Sequence, residues 1–334
     1  MELSIVTTLY ASAAYVEEFY SRACAVAKKL TNNFELIFVN DGSPDNSLEI
    51  ALAIFQKDPR VRVIDLSRNF GHHKAMMTGL RYARGKLAFL IDSDLEEDPE
   101  LLEAFYQTLQ STGADVAYGI QQARKGRFLE RVSGAMYFGT FNILSIYPIP
   151  KNHITARLMT QRYVAALLKH QEREFVISGL WALTGFSQVP VSVKKHYRGT
   201  SSYNFRRKIS HFVNAVTSFS SKPLDLIFYL GCIILFVSSI AALDLIIRRM
   251  FFGVLLAGWP SLIISVWLLG GLTLFCLGLI GIYLSKVFIE VKQRPYTIVR
   301  EVFETNNPSS SLNERELNLP QLEEEQQPES DGRR

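Results

Sequence analysis

From residue 3 to about residue 118 the chain alternates between two hydrophobic patterns. Short, β-branched apolar runs occupy residues 3–9, 34–39, 61–66, 87–91 and 115–118. Stretches with helical spacing lie between them, at 15–29, 46–55, 74–83 and 100–110. Such alternation predicts an α/β fold: a doubly wound, mainly parallel sheet, buried on both faces by helices. Ligands of such sheets bind beyond the carboxyl ends of the strands. Polar residues stand at the ends of three of the runs: Thr8 and Tyr10, then Asn40-Asp41-Gly42-Ser43, then Asp92 and Asp94. These strand ends are expected to converge on one crevice. Residues 119 to about 200 have weak periodicity and read as loops and short helices closing over it.

The second half changes character. Within 204–220, Phe205, Ile209, Phe212, Val213, Val216 and Phe219 share one helical face, and Arg206, Arg207 and Lys208 cluster near its start. The pattern fits an amphipathic helix in a membrane interface; a surface helix packed on the domain is the alternative. Residues 226–243 and 254–285 carry no charge, and each run is long enough to cross a bilayer core. Trp259-Pro260 stands near the start of the second run, so that span is expected to begin after Pro260. Two spans place both ends of the chain on one side. Lys222, Lys286, Lys292 and Arg294 favour the cytosol for that side, against Arg248 and Arg249 in the connection. The expected organisation is a cytosolic catalytic domain (1–203), an amphipathic juxtamembrane helix (204–222) and a two-helix transmembrane region (223–289). A cytosolic juxtamembrane segment (290–305) and a disordered acidic tail (306–334) complete it.

Composition removes several alternatives. A net charge of +4, with no long basic run interleaved with aromatics, argues against nucleic acid as a partner. Cys24, Cys232 and Cys276 form no Cys-x-x-Cys pair, which argues against a disulfide framework or a zinc site. Met1-Glu2 leads straight into an apolar strand, so no secretory signal is expected.

Asp92-Ser93-Asp94 places two carboxylates on one side of an extended segment. Two hard oxygen donors at a strand end suit Mg²⁺ or Mn²⁺ bridging a diphosphate, although an isolated Asp-x-Asp also occurs as a solvated turn. Gly42 allows a tight turn, and Asp41 can accept hydrogen bonds from a nucleobase edge or ribose. Ser43 can also cap the following helix. Arg68, after the third strand, can pair with phosphate or brace Asp92.

With these residues the chain resembles glycosyltransferase family 2 and its GT-A fold, and within it the polyisoprenyl-phosphate glycosyltransferases. That group includes dolichol-phosphate mannose synthases and bactoprenol glucosyltransferases. The matching stretches include Phe38-Val39-Asn40-Asp41-Gly42-Ser43, Leu66-Ser67-Arg68-Asn69-Phe70-Gly71 and Asp92-Ser93-Asp94-Leu95. Arg198-Gly199, Ser201 and Tyr203 follow, then Gly281-Ile282-Tyr283 with Glu290, Lys292, Arg294 and Pro295. The resemblance implies that Asp41 recognises the base, Asp92 contacts ribose or diphosphate, and Asp94 is the main metal ligand. Thr8, Tyr10, Ser43 and Arg68 would complete the nucleotide-sugar site. Arg198, Ser201 and Tyr203 would approach a phosphate from a loop, with Arg124, Lys125 and Arg157 as further phosphate contacts. Three departures stand out. Tyr10-Ala11-Ser12-Ala13 replaces an aromatic followed by Asn-Glu-Glu, Thr155-Ala156-Arg157-Leu158 replaces Asp-x-Arg-Leu, and Ser201-Ser202-Tyr203 lacks the family lysine.

No general base is evident in the middle region, where Glu172 and Glu174 flank Arg173. A phosphate acceptor removes the need for one, since a phosphate monoester with a second pKa of about 6 is already largely dianionic at neutral pH. The expected activity is metal-dependent, inverting transfer of a hexose, glucose from UDP-glucose, to undecaprenyl phosphate for glycan assembly. The expected form is a multi-pass homo-oligomer in the inner or plasma membrane. GDP-mannose is the alternative donor, and a non-catalytic scaffold on a degenerate domain is the alternative of another class.

Overall fold

The computed structural model describes residues 1–121, 152–193, 222–252 and 258–305. The 204–220 stretch, Arg124, Lys125, Arg198, Ser201, Tyr203 and the tail from 306 lie outside the described residues.

The N-terminal elements are β1 (Leu3–Leu9), α1 (Val16–Leu30), β2 (Phe34–Asn40), α2 (Ser47–Lys57), β3 (Val61–Leu66), α3 (His72–Tyr82), β4 (Leu87–Leu90), α4 (Leu101–Thr112) and β5 (Val116–Gln121). Next come β6 (His153–Thr160), α5 (Gln161–Leu167), α6 (Ile177–Leu183) and β7 (Gln188–Val193). Two long helices, α7 (Lys222–Phe252) and α8 (Trp259–Val291), precede the last strand, β8 (Val299–Phe303).

The described strands join one sheet in the order β7-β5-β6-β4-β1-β2-β3-β8. β1 pairs in parallel with both β2 and β4, and β2 with β3. β6 lies antiparallel between β4 and β5, and β8 lies antiparallel on β3. The sheet is therefore mixed, with β6 and β8 running against the other strands. β6 and β7 arise where the sequence suggested only loops and short helices. β6 carries a buried arginine mid-strand, and β7 has Pro190 at the sheet edge, where a missing N–H is tolerated.

Every residue of β1, β2 and β3 is buried, because helices cover both faces. Phe19, Phe38, Phe89 and Phe105 fill the core beneath α1, α2 and α4. Val6, Ile37, Met76, Leu80 and Tyr163 fill the opposite layer beneath α3, α5 and α6.

β8 falls inside the segment expected to be only juxtamembrane. Its neighbours explain why it docks there. Arg62 is 5% exposed and reaches Glu35 Oε2 at 3.0 Å and Glu304 Oε2 at 2.9 Å. Arg84 adds a 2.7 Å contact to the same Glu304 oxygen, and Arg300 reaches Asp65 Oδ2 at 3.0 Å. Ser67 N also donates to Ile298 O at 2.9 Å. Among the described residues one helical stretch, Ser265–Val291, is long and apolar enough to cross a membrane by length and composition. Pro260 lies in the first turn of α8, where its lost N–H has no intrahelical partner to forfeit.

Candidate active site

The carboxyl ends of β1, β2 and β4 form the predicted crevice. Ser93 is 3% exposed and turns inward, donating to Thr8 O at 2.8 Å. This fixes Asp92 and Asp94 on either side of it, both only partly buried. Asp94 Oδ1 accepts from Glu96 N at 3.0 Å, next to Leu95, which has φ +57°.

Asp92 is braced by His72, not by Arg68. His72 Nε2 stands 3.1 Å from Asp92 Oδ1, and its Nδ1 lies 3.0 Å from Thr8 Oγ1. Burial disfavours the imidazolium, but Asp92, Asp41 and Asp94 outweigh it, so the His72 pKa is raised. Arg68 instead lies over the Phe70 ring at 4.1 Å and donates to Asn69 O. The helical spacing of 74–83 leaves His72 outside the helix that the sequence predicts. The start of α3 at His72 brings it into the first turn, directly beyond the third-strand loop.

Asp41 is 2% exposed, and its oxygens accept from Phe70 N at 2.7 Å and Gly71 N at 3.0 Å. Burial pushes its pKa up against the pull of those amides. Its first task is therefore to hold the 68–71 loop. An ionised carboxylate has about four acceptor sites, so a base edge can still be met. Gly42 explains the loop's closeness: it has φ +59°, and a Cβ there would lie 2.5 Å from Asn69 N. Gly42→Ala is expected to lower stability by about 1–3 kcal/mol, the cost of holding a residue with a Cβ in this left-handed backbone against Asn69 N. Denaturant unfolding checks this, and unchanged stability would show that the 68–71 loop yields without cost.

The first-strand loop is tied down by Asp45. Its carboxylate accepts from the Ser43 and Ser47 hydroxyls and from Ala13 N and Ser47 N. Ser43 in turn accepts from Ala11 N at 2.8 Å, so it links two loops and Asp45 serves the start of α2. Tyr10 is 54% exposed at the crevice mouth. Burial opposes ionisation of Asp45, but these hydrogen bonds win and bring its pKa from 3.8 to about 2. A depressed carboxylate pKa gives stability that is present above 3.8 and lost as pH falls through about 2. The stability gap between wild type and Asp45→Asn should therefore be constant above pH 4 and close near pH 2, as acid-unfolding curves would show.

A cavity of about 300 Å³ adjoins His72 and is lined in part by Glu97, Thr155 and Trp181. Glu97 is 1% exposed, and its two oxygens accept from Thr155 N and Ala156 N at 3.1 and 2.7 Å. Arg157, expected to meet a phosphate, is 2% exposed and stacks on Trp181. The cause is its place in the middle of β6, paired with Leu90 and Tyr118. It supports the cavity wall from below and does not reach the crevice.

Among the described residues no three His, Cys, Asp or Glu side chains gather to hold a metal. Two adjacent carboxylates are a fitting set for Mg²⁺ or Mn²⁺ when substrate phosphates and water complete the shell. Asp94, with Asp92 steadied by His72, offers such a pair.

The crevice lies where the carboxyl ends of β1, β2 and β4 meet, within the stretch that related proteins match. The family model described as glycosyl transferase family 2 matches residues 4–167. A Mycobacterium tuberculosis protein grouped with the glycosyltransferases is 57% identical over 314 residues, covering 93% of this chain and 92% of that one. The chain belongs to glycosyltransferase family 2. YkcC of Bacillus subtilis, an uncharacterized glycosyltransferase, is 32% identical over 92% of this chain and 96% of its own length. The SfII prophage-derived bactoprenol glucosyl transferase of Shigella flexneri is 29% identical over 90% of this chain and 98% of its own. This family 2 protein is thus a glycosyltransferase with a GT-A-like α/β sheet, and the scaffold alternative falls away.

Proposed function

We propose that this glycosyltransferase moves a hexose, glucose from UDP-glucose, onto a polyprenyl phosphate and inverts the anomeric centre. The return of the chain from α8 into the sheet carries the reading. Val291 ends α8 and Val299 opens β8, so an apolar helix is moored to the sheet that builds the crevice. Such a site suits an acceptor with its phosphate in water and its tail in the bilayer. The mooring also supports two crossings. Strands before α7 and after α8 share one sheet, so the chain between them must cross an even number of times. α7 is then the partner of the Ser265–Val291 span. Lys222, Lys286, Lys292 and Arg294 favour a cytosolic catalytic face. The Shigella relative's name supports the acceptor and the sugar.

The side chains fit a phosphate nucleophile. Glu97 gives both oxygens to β6 amides, and Glu174 pairs with Lys74 at 2.9 Å, so neither is poised as a base. A dianionic phosphate needs positioning and charge screening, not deprotonation. Asp41 and Asp45 set the loops around the nucleotide, and His72 orients Asp92. A divalent cation held by Asp94 and Asp92 would neutralise the leaving diphosphate.

The test is transfer in detergent from radiolabelled UDP-glucose, and from GDP-mannose in parallel, to undecaprenyl phosphate. Label entering the organic phase only from UDP-glucose is the expected result. Label from GDP-mannose alone would replace the donor. No labelled lipid from either, with UDP binding intact, would refute the proposed transfer.

A further inference from the structure

We propose that the cavity between α3 and the carboxyl end of α8 is a headgroup site for an anionic phospholipid of the surrounding bilayer. The cavity measures about 420 Å³. Arg68, Lys74 and Arg173 reach it from the sheet domain, and Lys292 and Arg294 reach it from the end of α8. Among the described residues Glu174 is the one carboxylate lining it, and it is engaged by Lys74 at 2.9 Å. Among the described residues the side chains of Arg68, Arg173, Lys292 and Arg294 have no ion pair, although the Arg173 backbone N donates to Glu290 Oε1 at 2.7 Å. Arg68 and Lys292 lie over Phe70 and Phe288 at 4.1 and 4.0 Å, and Arg173 donates to Gln293 O at 3.3 Å. Arg294 is exposed and has no ion pair among the described residues.

Cations gathered from two separate parts of the chain repel one another unless an anion lies between them. A phosphate is the anion whose oxygens match guanidinium forks and an ammonium at once. Phe288 and Ile289, from the last turns of α8, give the cavity an apolar wall beside its charge. That combination suits a phosphate attached to a glycerol and acyl chains. The source is placed by depth, in a step that rests on the membrane reading of α8. A cavity at the end of a spanning helix opens at the level of phospholipid headgroups, where basic residues meet anionic lipid.

The cavity is separate from the transfer crevice. His72, which braces Asp92, lines the cavity of about 300 Å³ with His73 and Met76, while Lys74 faces the headgroup cavity, and the two cavities share no lining residue. The two are nonetheless linked through the 68–71 loop. Arg68 and Phe70 line the headgroup cavity, and the Phe70 and Gly71 amides hold Asp41. A bound headgroup draws α8 and Arg173 toward the loop that shapes the nucleotide side, so transfer runs faster in anionic bilayers.

The experiment uses full-length protein in phosphatidylcholine nanodiscs, with and without phosphatidylglycerol. Lipid retained after extraction is identified by native mass spectrometry, and transfer is measured in the same discs. Wild type should retain phosphatidylglycerol and be stimulated by it. Lys292→Gln/Arg294→Gln should bind it about thirtyfold more weakly, two charges at roughly 1 kcal/mol each. Arg294→Lys should keep most of the binding, and Lys28→Gln/Lys29→Gln, exposed on α1, should match wild type. Equal retention by the double glutamine variant overturns the proposal. Displacement of the lipid by millimolar inorganic phosphate would overturn the lipid source in favour of free phosphate, and selective retention of polyprenyl phosphate would overturn it in favour of the acceptor. Release of the wild-type protein from membranes by alkaline carbonate would instead refute the membrane reading itself.

Discussion

Asp94→Ala is expected to lower lipid labelling roughly 10²–10³-fold, the usual loss when charge stabilisation of a transition state is removed. The side chain is partly exposed at the crevice and makes a local contact with Glu96 N, so its removal leaves the sheet untouched. Thermal stability should stay within about 0.5 kcal/mol of wild type, as for other surface changes. EDTA should reproduce the loss in wild type and add little in the variant. Labelling within tenfold of wild type would show that Asp94 holds no catalytic metal. His72→Ala should be milder, because it acts by orienting Asp92. Its effect should fall on kcat more than on the KM for UDP-glucose, and His72→Gln should recover part of it.

Arg62→Ala is expected to cost about 3–5 kcal/mol of stability, the range for removing one partner of a buried ion pair. Arg62 is 5% exposed and Glu35 is 1% exposed. Its guanidinium also donates to Tyr82 O at 2.7 Å and meets Glu304, directly after the end of β8. Glu35 would keep Ser4 and the Arg84 amide but lose its compensating charge. The unfolding temperature of the purified protein should fall by about 10 °C. Arg62→Met/Glu35→Leu, which removes both charges, should recover much of the loss. A drop under about 2 °C for Arg62→Ala would mean the pair contributes little.

The order of strands and helices through residue 121 was legible because each strand there is an apolar run and each helix has one apolar face. Their observed bounds shift by only a few residues, as for α1 and α4. Even so, a shift of two residues at the start of α3 hid His72. Asp92 and Asp94 were legible because inward-turning Ser93 enforces the alternation that the pattern implies. β6 was not legible, since Arg157 interrupts its apolar pattern and is accommodated only by the aromatic stack with Trp181. That burial, invisible locally, also changes Arg157 from a phosphate contact to a supporting residue. β8 was hidden for a different reason. Arg300 and Glu301 give it a polar surface, and its partner β3 lies more than two hundred residues earlier.

The position of β8 at the end of the described chain sets an order of events during synthesis. Strands made first cannot complete their sheet until residues 299–303 have been translated, after both long helices. During that interval β3 is an open edge, a hazard for unwanted pairing, and Arg62 and Asp65 lack Glu304 and Arg300. The finished enzyme therefore assembles only on a chain that has already passed through its apolar helices. A polypeptide that stalls before them carries an incomplete transferase sheet, so maturation of the catalyst waits on translation of α7, α8 and β8.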